Sequence, residues 1–354
     1  MDYITYNNGV QVIVSGDGEI ETLEDRRFNW KERREKNMRL DGLYEKAGYP
    51  EYAARVRDCA TFLEFATPEG GERRLQTANF CKLRLCPMCI GRRARRAAWK
   101  LSRVLGMVER EHKAKFLFLT LTLRNVPGQK LGNALGQLTK AWERFLGQRQ
   151  IERSVKGWFR AIEITRGDGI RKEDKGYHPH LHAILAVEPD YFSRKSRKSG
   201  KYLNQDDLIL RWQKALRVDY LPSVEISTTK AKRKRGGVES ATLAAAKEGA
   251  KYPIKDEDYI DQKLPEDRAV EIIRDYTEAL RKRRLTAFGG WLKEAARKLD
   301  AEDLDDGDLI HTEDETIRED VRLLIERFCW HFGAGDYILA GREIRVPIAK
   351  RKVG

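Results

Sequence analysis

The sequence predicts an α+β protein built round a small antiparallel sheet, and three observations carry that prediction. Phe116 to Leu123 (FLFLTLTL) alternates strictly: Leu117, Leu119, Leu121 and Leu123 take one face, Phe116, Phe118, Thr120 and Thr122 the other. That is the period of a strand. Three of the six histidines, His178, His180 and His182, alternate in the same way, so they share one side of a second strand. Helical and strand-like runs interleave with these two in the order β-α-β-β-α-β, the split βαβ or ferredoxin-like arrangement.

Each element has its own signal. The mixed-charge start of the chain holds Asn7-Asn8-Gly9, suited to a hairpin turn. The basic stretch Arg92-Arg93-Ala94-Arg95-Arg96 runs into a helix to about Arg110. After the FLFLTLTL strand, a helix is read over residues 130–146, stopping at Gly147, then a strand over 158–165. A loop over 166–177 and a strand over 179–187 follow, then a basic linker, a helix over 205–216 and a strand over 223–227. Beyond the basic run from Lys230 to Arg235 and the Gly236-Gly237 break, a helix is expected over 239–251. Residues 265–284 read as a charged helix. Residues 300–320 contain eleven acids and read as a solvated segment. The tail from Arg322 mixes helix-like and strand-like pieces. Three regions are therefore expected: 1–110 with a cysteine site and a basic helix, 111–262 with the sheet, and a mainly helical 263–354.

Composition narrows the function. The 354 residues include 69 Lys+Arg against 55 Asp+Glu, a net charge of +14, with 41% hydrophobic residues. That is too apolar for a wholly disordered chain, and its basic balance points to nucleic acid. No apolar run is long enough to span a membrane. The start, MDYITYNNGVQ, lacks the layout of a signal peptide, so a cytoplasmic protein without membrane partners is expected.

Two clusters carry chemistry. Opposite the histidine strand, the run at 158–165 places Glu163 on the side facing His180 and His182. Two imidazoles and a carboxylate with positions left open are a ligand set for a divalent cation, Mg2+ or Mn2+, meeting a phosphate. Cys59, Cys81, Cys86 and Cys89 lie within 31 residues of one another. In a reducing compartment they are read as a structural four-thiolate Zn2+ site, with Cys59 the most distant ligand. Lone Cys329 reads as a core residue. Arg92, Arg93, Arg95 and Arg96, and Lys230, Lys232, Arg233, Lys234 and Arg235, are read as phosphate-backbone contacts. The group Arg194, Lys195, Arg197, Lys198 and Lys201 is a third basic cluster.

His178-Pro179-His180-Leu181-His182 resembles the metal motif of HUH endonucleases, and FLFLTLTL is similar to the first motif of that superfamily. The resemblance is greatest to plasmid rolling-circle replication initiators (Rep proteins) with one catalytic tyrosine and a cysteine-rich N-terminal part. It covers about Cys59 to Ile310, including Arg284-Leu285-Thr286-Ala287-Phe288-Gly289-Gly290.

In that family a tyrosine in a Tyr-x-x-Lys motif attacks DNA, and Tyr252-Pro253-Ile254-Lys255 matches it. The resemblance implies Tyr252 as nucleophile, forming a 5′-phosphotyrosyl bond and freeing a 3′-OH primer. Lys255 would pair with phosphate or tyrosinate, and Glu248, one helical turn earlier, would activate water at termination. Pro253 disfavours helix at Tyr252. Tyr259 is the reserve nucleophile, otherwise a packed tyrosine; Tyr177 lies off the expected helix. The partners implied are plasmid origin DNA, single-stranded or hairpin, with a host helicase and replication machinery. A single-tyrosine HUH transposase is the alternative enzyme. A non-catalytic zinc-dependent DNA-binding regulator is the alternative of another class.

Overall fold

Alternation of apolar side chains builds the sheets of this chain, and helices with one apolar face cover them. The computed structural model describes residues 2–5, 11–14, 20–25, 27–168, 175–228, 232–234, 237–239, 241–250, 254–305, 307–313 and 321–346. Contacts divide the chain into two units, Met1–Arg92 with Asp308–Gly354, and Arg93–Gly307.

The first unit opens with strands β1 (Asp2–Thr5) and β2 (Gln11–Val14), paired antiparallel. The turn expected at Asn7-Asn8-Gly9 lies outside the described residues. Helices α1 (Trp30–Lys46) and α2 (Pro50–Asp58) follow, then strands β3 (Phe62–Pro68) and β4 (Arg74–Ala78). Helix α3 (Pro87–His112) starts in this unit, with proline at the first helical position, where a missing N–H costs nothing. The division between the units falls within α3, at Arg92/Arg93.

The second unit continues with β5 (Lys115–Thr122), α4 (Gly128–Leu146), α5 (Arg149–Ser154), β6 (Val155–Asp168) and β7 (Lys175–Val187). Then come α6 (Arg194–Lys198), α7 (Gln205–Leu216), β8 (Val224–Thr228), β9 (Lys232–Lys234), β10 (Gly237–Glu239) and α8 (Ala241–Gly249). Helices α9 (Glu257–Ile260) and α10 (Glu266–Leu280), strand β11 (Thr286–Gly289) and helix α11 (Gly290–Lys298) complete it. The chain then returns to the first unit with β12 (Leu323–His331) and β13 (Asp336–Arg345).

The sheet of the second unit has the order β11-β6-β7-β5-β8 with every neighbouring pair antiparallel. Strands β5 and β6 flank β7 and are joined through α4, so a strand is inserted into a βαβ unit, as the sequence order requires. One face carries Leu117, Leu119, Leu121, Ile162, Ile164, Leu181 and Leu185, all buried. Helices α4 and α7 lie on this side, and the Trp212 indole donates to the Thr122 carbonyl at 2.9 Å. The opposite face carries Glu163, His180 and His182 with Thr120 and Thr122, but it is not polar throughout. Phe116, Phe159, Ile184 and Ala186 form a core on the rest of it with Leu101, Val104, Ala246, Ala250 and Leu292 from α3, the α8 region and α11.

Three expectations are corrected. The loop read over 166–177 is shorter, because β6 reaches Asp168 and β7 starts at Lys175, pairing to Asp168↔Lys175. The C-terminal region is not mainly helical: β12 and β13 form a hairpin added to β3 and β4 in the order β13-β12-β3-β4. Glu326, Phe328 and Trp330 alternate as buried residues, a period-two pattern obscured by the charges of Glu326 and Arg327. The acidic stretch is not simply solvated, since Asp305 accepts from the Leu285 and Thr286 backbone N–H groups at 2.6 and 3.2 Å and anchors the edge strand β11. No described helix is long and apolar enough to cross a membrane.

Candidate active site and metal centres

Register in β5, β6 and β7 assembles the first centre. His180 lies between Glu163 on one neighbour and Thr122 on the other, while His182 lies between Ala161 and Thr120. Directly paired residues share a face. The three candidate ligand atoms therefore converge: His182 Nε2 is 2.7 Å and His180 Nε2 3.6 Å from Glu163 Oε2, and the two Nε2 atoms are 3.2 Å apart. Six ligands at about 2.1 Å from a cation give an octahedral edge of about 3.0 Å, so these separations fit one ion held by all three. Burial acts to raise the Glu163 pKa, but hydrogen bonds and charge from His180 and His182 outweigh it and hold the carboxyl well below its ordinary range.

Both imidazoles are oriented from behind. His180 Nδ1 donates to the His178 carbonyl at 3.1 Å, which fixes its proton there and leaves Nε2 as the free lone pair. His182 Nδ1 lies 3.2 Å from Thr120 Oγ1, a partner that does the same for the second ring when Nε2 is a ligand. His178, third in the row, instead meets Asn125 Oδ1 through Nδ1 at 2.7 Å. It is outside the converging set. Burial, with His180 adding to it, lowers its pKa.

Of the tyrosine motif, Tyr252 and Pro253 lie outside the described residues. Glu248 is half-buried near the end of α8, and Lys255 is exposed. The C-terminal end of α8 rests on the sheet beside the histidines. A Cβ at Gly249 would come within 3.0 Å of Ile184 and 3.2 Å of Phe159, and Ile184 follows His182 in the same-face row. Tyr259 is fully buried and packs edge-on against Tyr276, 6.2 Å between centroids. Tyr177 is buried too and donates to Asp275 at 2.7 Å; burial first, then that carboxylate, raises its pKa.

The second centre belongs to the first unit. Sγ–Sγ distances are 3.5 Å for Cys59–Cys86 and 3.7 Å for Cys59–Cys89 and Cys81–Cys89. Disulfide bonds need about 2.05 Å, whereas a tetrahedron of four sulfurs at about 2.3 Å from Zn2+ has edges of about 3.8 Å. The surrounding donors fit such an ion. Backbone N–H groups of Cys81 and Leu83 point at Cys59 and Cys81 sulfurs at 3.4 and 3.5 Å. Asn37 lies 3.3 Å from Cys86 Sγ through Oδ1, and its buried Nδ2 has no partner. Turning that amide over would satisfy Nδ2 against a thiolate. Fully buried Arg34, one helical turn earlier, has a lone Nε and supplies a positive charge beside four thiolates and a dication, which together carry two negative charges.

Three of the arginines read as DNA contacts face protein. Arg92, Arg93 and Arg96 are 2%, 3% and 8% exposed. Arg92 donates to the Leu309 carbonyl at 2.7 Å and to that of Ile310. In the second unit, Arg93 and Arg96 donate to the carbonyls of Asp305 and Asp303 at 3.0 and 3.1 Å. A run of arginines on a helix looks the same in sequence whether it meets phosphate or carbonyl oxygens. Arg95 is half-buried. Of Lys232, Arg233 and Lys234 the backbone is described, as β9 paired with β10; Lys230 and Arg235 lie outside the described residues. Sequence reasoning missed Arg34 and Asn37, whose only signal is their helical spacing.

The second unit carries a Glu-His-His cluster and the first a four-cysteine cluster, each a set of side chains that could hold a metal ion, and known sequences show which class of protein this is. The family model described as "Replication protein" matches residues 72–338. A "Protein rep" of Bacillus amyloliquefaciens is 32% identical over 346 residues, 92% of this chain and 99% of that one. Those of Lactiplantibacillus plantarum (33% over 336 residues, 90% and 99%) and Streptococcus pneumoniae serotype 2 (33% over 289 residues, 81% and 84%) are similar. No solved structure matches. The chain belongs to this replication protein family, the plasmid replication initiators termed Rep.

Proposed function

We propose that the protein starts rolling-circle replication as an HUH-type nickase and strand transferase acting on one DNA strand at a plasmid origin. The observation that carries this reading is the convergence of Glu163, His180 and His182 on one point at the open end of the sheet. A divalent cation bound there would withdraw charge from the scissile phosphate, which an unassisted tyrosine, with its pKa of about 10, attacks poorly.

Tyr252 is the proposed nucleophile. Its oxygen bonds to phosphorus as the P–O3′ bond breaks, giving a 5′-phosphotyrosine and a 3′-OH after protonation. Lys255 would offset charge on the phosphoryl oxygens, and Glu248 would serve as general base for the water that releases the protein at termination. The packing of Gly249, near the end of α8 and three residues before Tyr252 in the sequence, against Ile184 supports this, since Ile184 is two residues from His182. A host helicase would then open the duplex while a host polymerase extends the 3′-OH.

The test is incubation with Mn2+ and a labelled single-stranded origin oligonucleotide, read on a denaturing gel. A covalent adduct is expected, and Tyr252→Phe should abolish it while leaving DNA retention on a native gel. An adduct that survives Tyr252→Phe removes that residue from the role. Retention without any adduct from the native protein identifies a DNA-binding regulator instead. Glu248→Ala should still nick but fail to terminate cleanly, scored by the accumulation of over-length single strands.

A further inference from the structure

Beyond the last paired residue of β5 the chain continues alongside the histidine strand. Leu123 N–H donates to the Pro179 carbonyl at 3.3 Å, and Val126 and Tyr177 exchange backbone bonds at 2.8 and 2.9 Å. Arg124 stands between these links, two residues past Thr122, which pairs with His180. Two residues of extended chain span about 7 Å, so Arg124 borders the Glu163–His180–His182 cluster.

Arg124 is exposed, yet it is held. Its guanidinium carbon lies 3.8 Å above the Tyr220 ring centroid, and its backbone N–H donates to the Tyr220 hydroxyl at 3.1 Å. The Tyr220 loop is itself tied to β5, because Thr122 donates through N and Oγ1 to the Ser223 carbonyl at 3.2 and 2.9 Å. Next to the stack, Leu221 is 68% exposed. Packing within the protein needs neither an exposed leucine nor a guanidinium set over an aromatic ring at the surface. A cationic plane with an apolar neighbour is what an unpaired base and its phosphate require.

We propose that Arg124, backed by Tyr220, is a stacking platform for an unpaired nucleotide of the DNA strand entering the metal site. This rests on the nicking function proposed above, whose site it adjoins. The flat guanidinium stacks on the base while its N–H groups reach phosphate, and Tyr220 keeps the plane from rotating away. Duplex DNA, with its bases already stacked, gains only the charge. Lysine at 124 would keep that charge and lose the plane.

The experiment measures binding of fluorescein-labelled (dT)15, and of a 15-base-pair duplex, by anisotropy without added divalent ion, so that cleavage plays no part. Arg124→Lys should weaken (dT)15 binding about tenfold, the worth of one base stacked on a protein side chain, and leave the duplex unchanged. Tyr220→Leu should do likewise, and Tyr220→Phe, which keeps the ring, should bind (dT)15 to within about twofold of the native protein. Unchanged (dT)15 affinity in Arg124→Lys overturns the platform, as does an equal loss on both DNAs. Because Arg124 is exposed, its lysine variant keeps the fold, and circular dichroism checks this for Tyr220→Leu. Failure here leaves adduct formation through Tyr252 standing, and absence of an adduct would leave this difference between DNAs measurable.

Discussion

At the scale of single residues, strand alternation made the first centre legible. A period of two places His180 and His182 on one side whatever the rest of the fold does, and Glu163 joins them once its strand is paired in register. His178 belongs to the same row and was indistinguishable by period. It leaves the cluster because β5 slips relative to β7 between Thr122↔His180 and Val126↔Tyr177, bringing Asn125 to its ring. Thr120 shares the face of the histidines in the sequence, but only the 3.2 Å contact to His182 Nδ1 gives it a task. Replacing Thr120 by Val keeps the shape and removes the acceptor. Mn2+ affinity, measured by calorimetric titration, should fall about 10- to 100-fold, the usual cost of losing a partner behind a ligand histidine. Thr120→Ser should restore most of it. An unaltered Thr120→Val titration would show that His182 needs no such support.

At the scale of elements, the order β-α-β-β-α-β was readable because each strand and helix has its own period, and α7 falls on the residues expected, Gln205–Leu216. The edge strand β11 was not readable. It has only four residues, and its pairing with β6 depends on Asp305, one acid among eleven, holding the Leu285 and Thr286 amides. Helix α1 hides a similar dependence. Its charged sequence has little apolar periodicity, yet Arg34 and Asn37 are fully buried against the cysteine cluster. Arg34 also donates to the Val56 carbonyl at 3.2 Å and to that of Arg57, at the end of α2. Arg34→Met should therefore loosen both the helix pair and a metal ion held by the four cysteines. Zinc transfer to a chromogenic chelator is expected to speed up at least several-fold, and a rate equal to that of the native protein would count against a charge-balancing role.

At the scale of the whole molecule, the first unit could not be deduced from local pattern because it is discontinuous: its sheet needs β12 and β13, which follow the cysteines by more than two hundred residues of chain. Strand β12 is interior, between β13 and β3. The turn after Cys59 depends on this return of the chain. Ala60 has a left-handed φ of 57°, a conformation that costs a non-glycine residue about 1–2 kcal/mol. The Tyr337 hydroxyl donates to its carbonyl at 2.7 Å, and the Trp330 N–H donates to the carbonyl of Thr61 at 2.8 Å. A chain ended after Arg322 loses both bonds together with the buried Phe328, Trp330, Tyr337 and Leu339. Its zinc content, by elemental analysis of the purified protein, should drop well below one ion per chain. The Glu163–His180–His182 cluster lies wholly in Arg93–Gly307, so Mn2+ binding there should persist in the same sample. Full zinc occupancy in the shortened chain would mean that the four cysteines organise the ion without the C-terminal strands. Loss of both ions together would instead mean that the second unit does not stand without them.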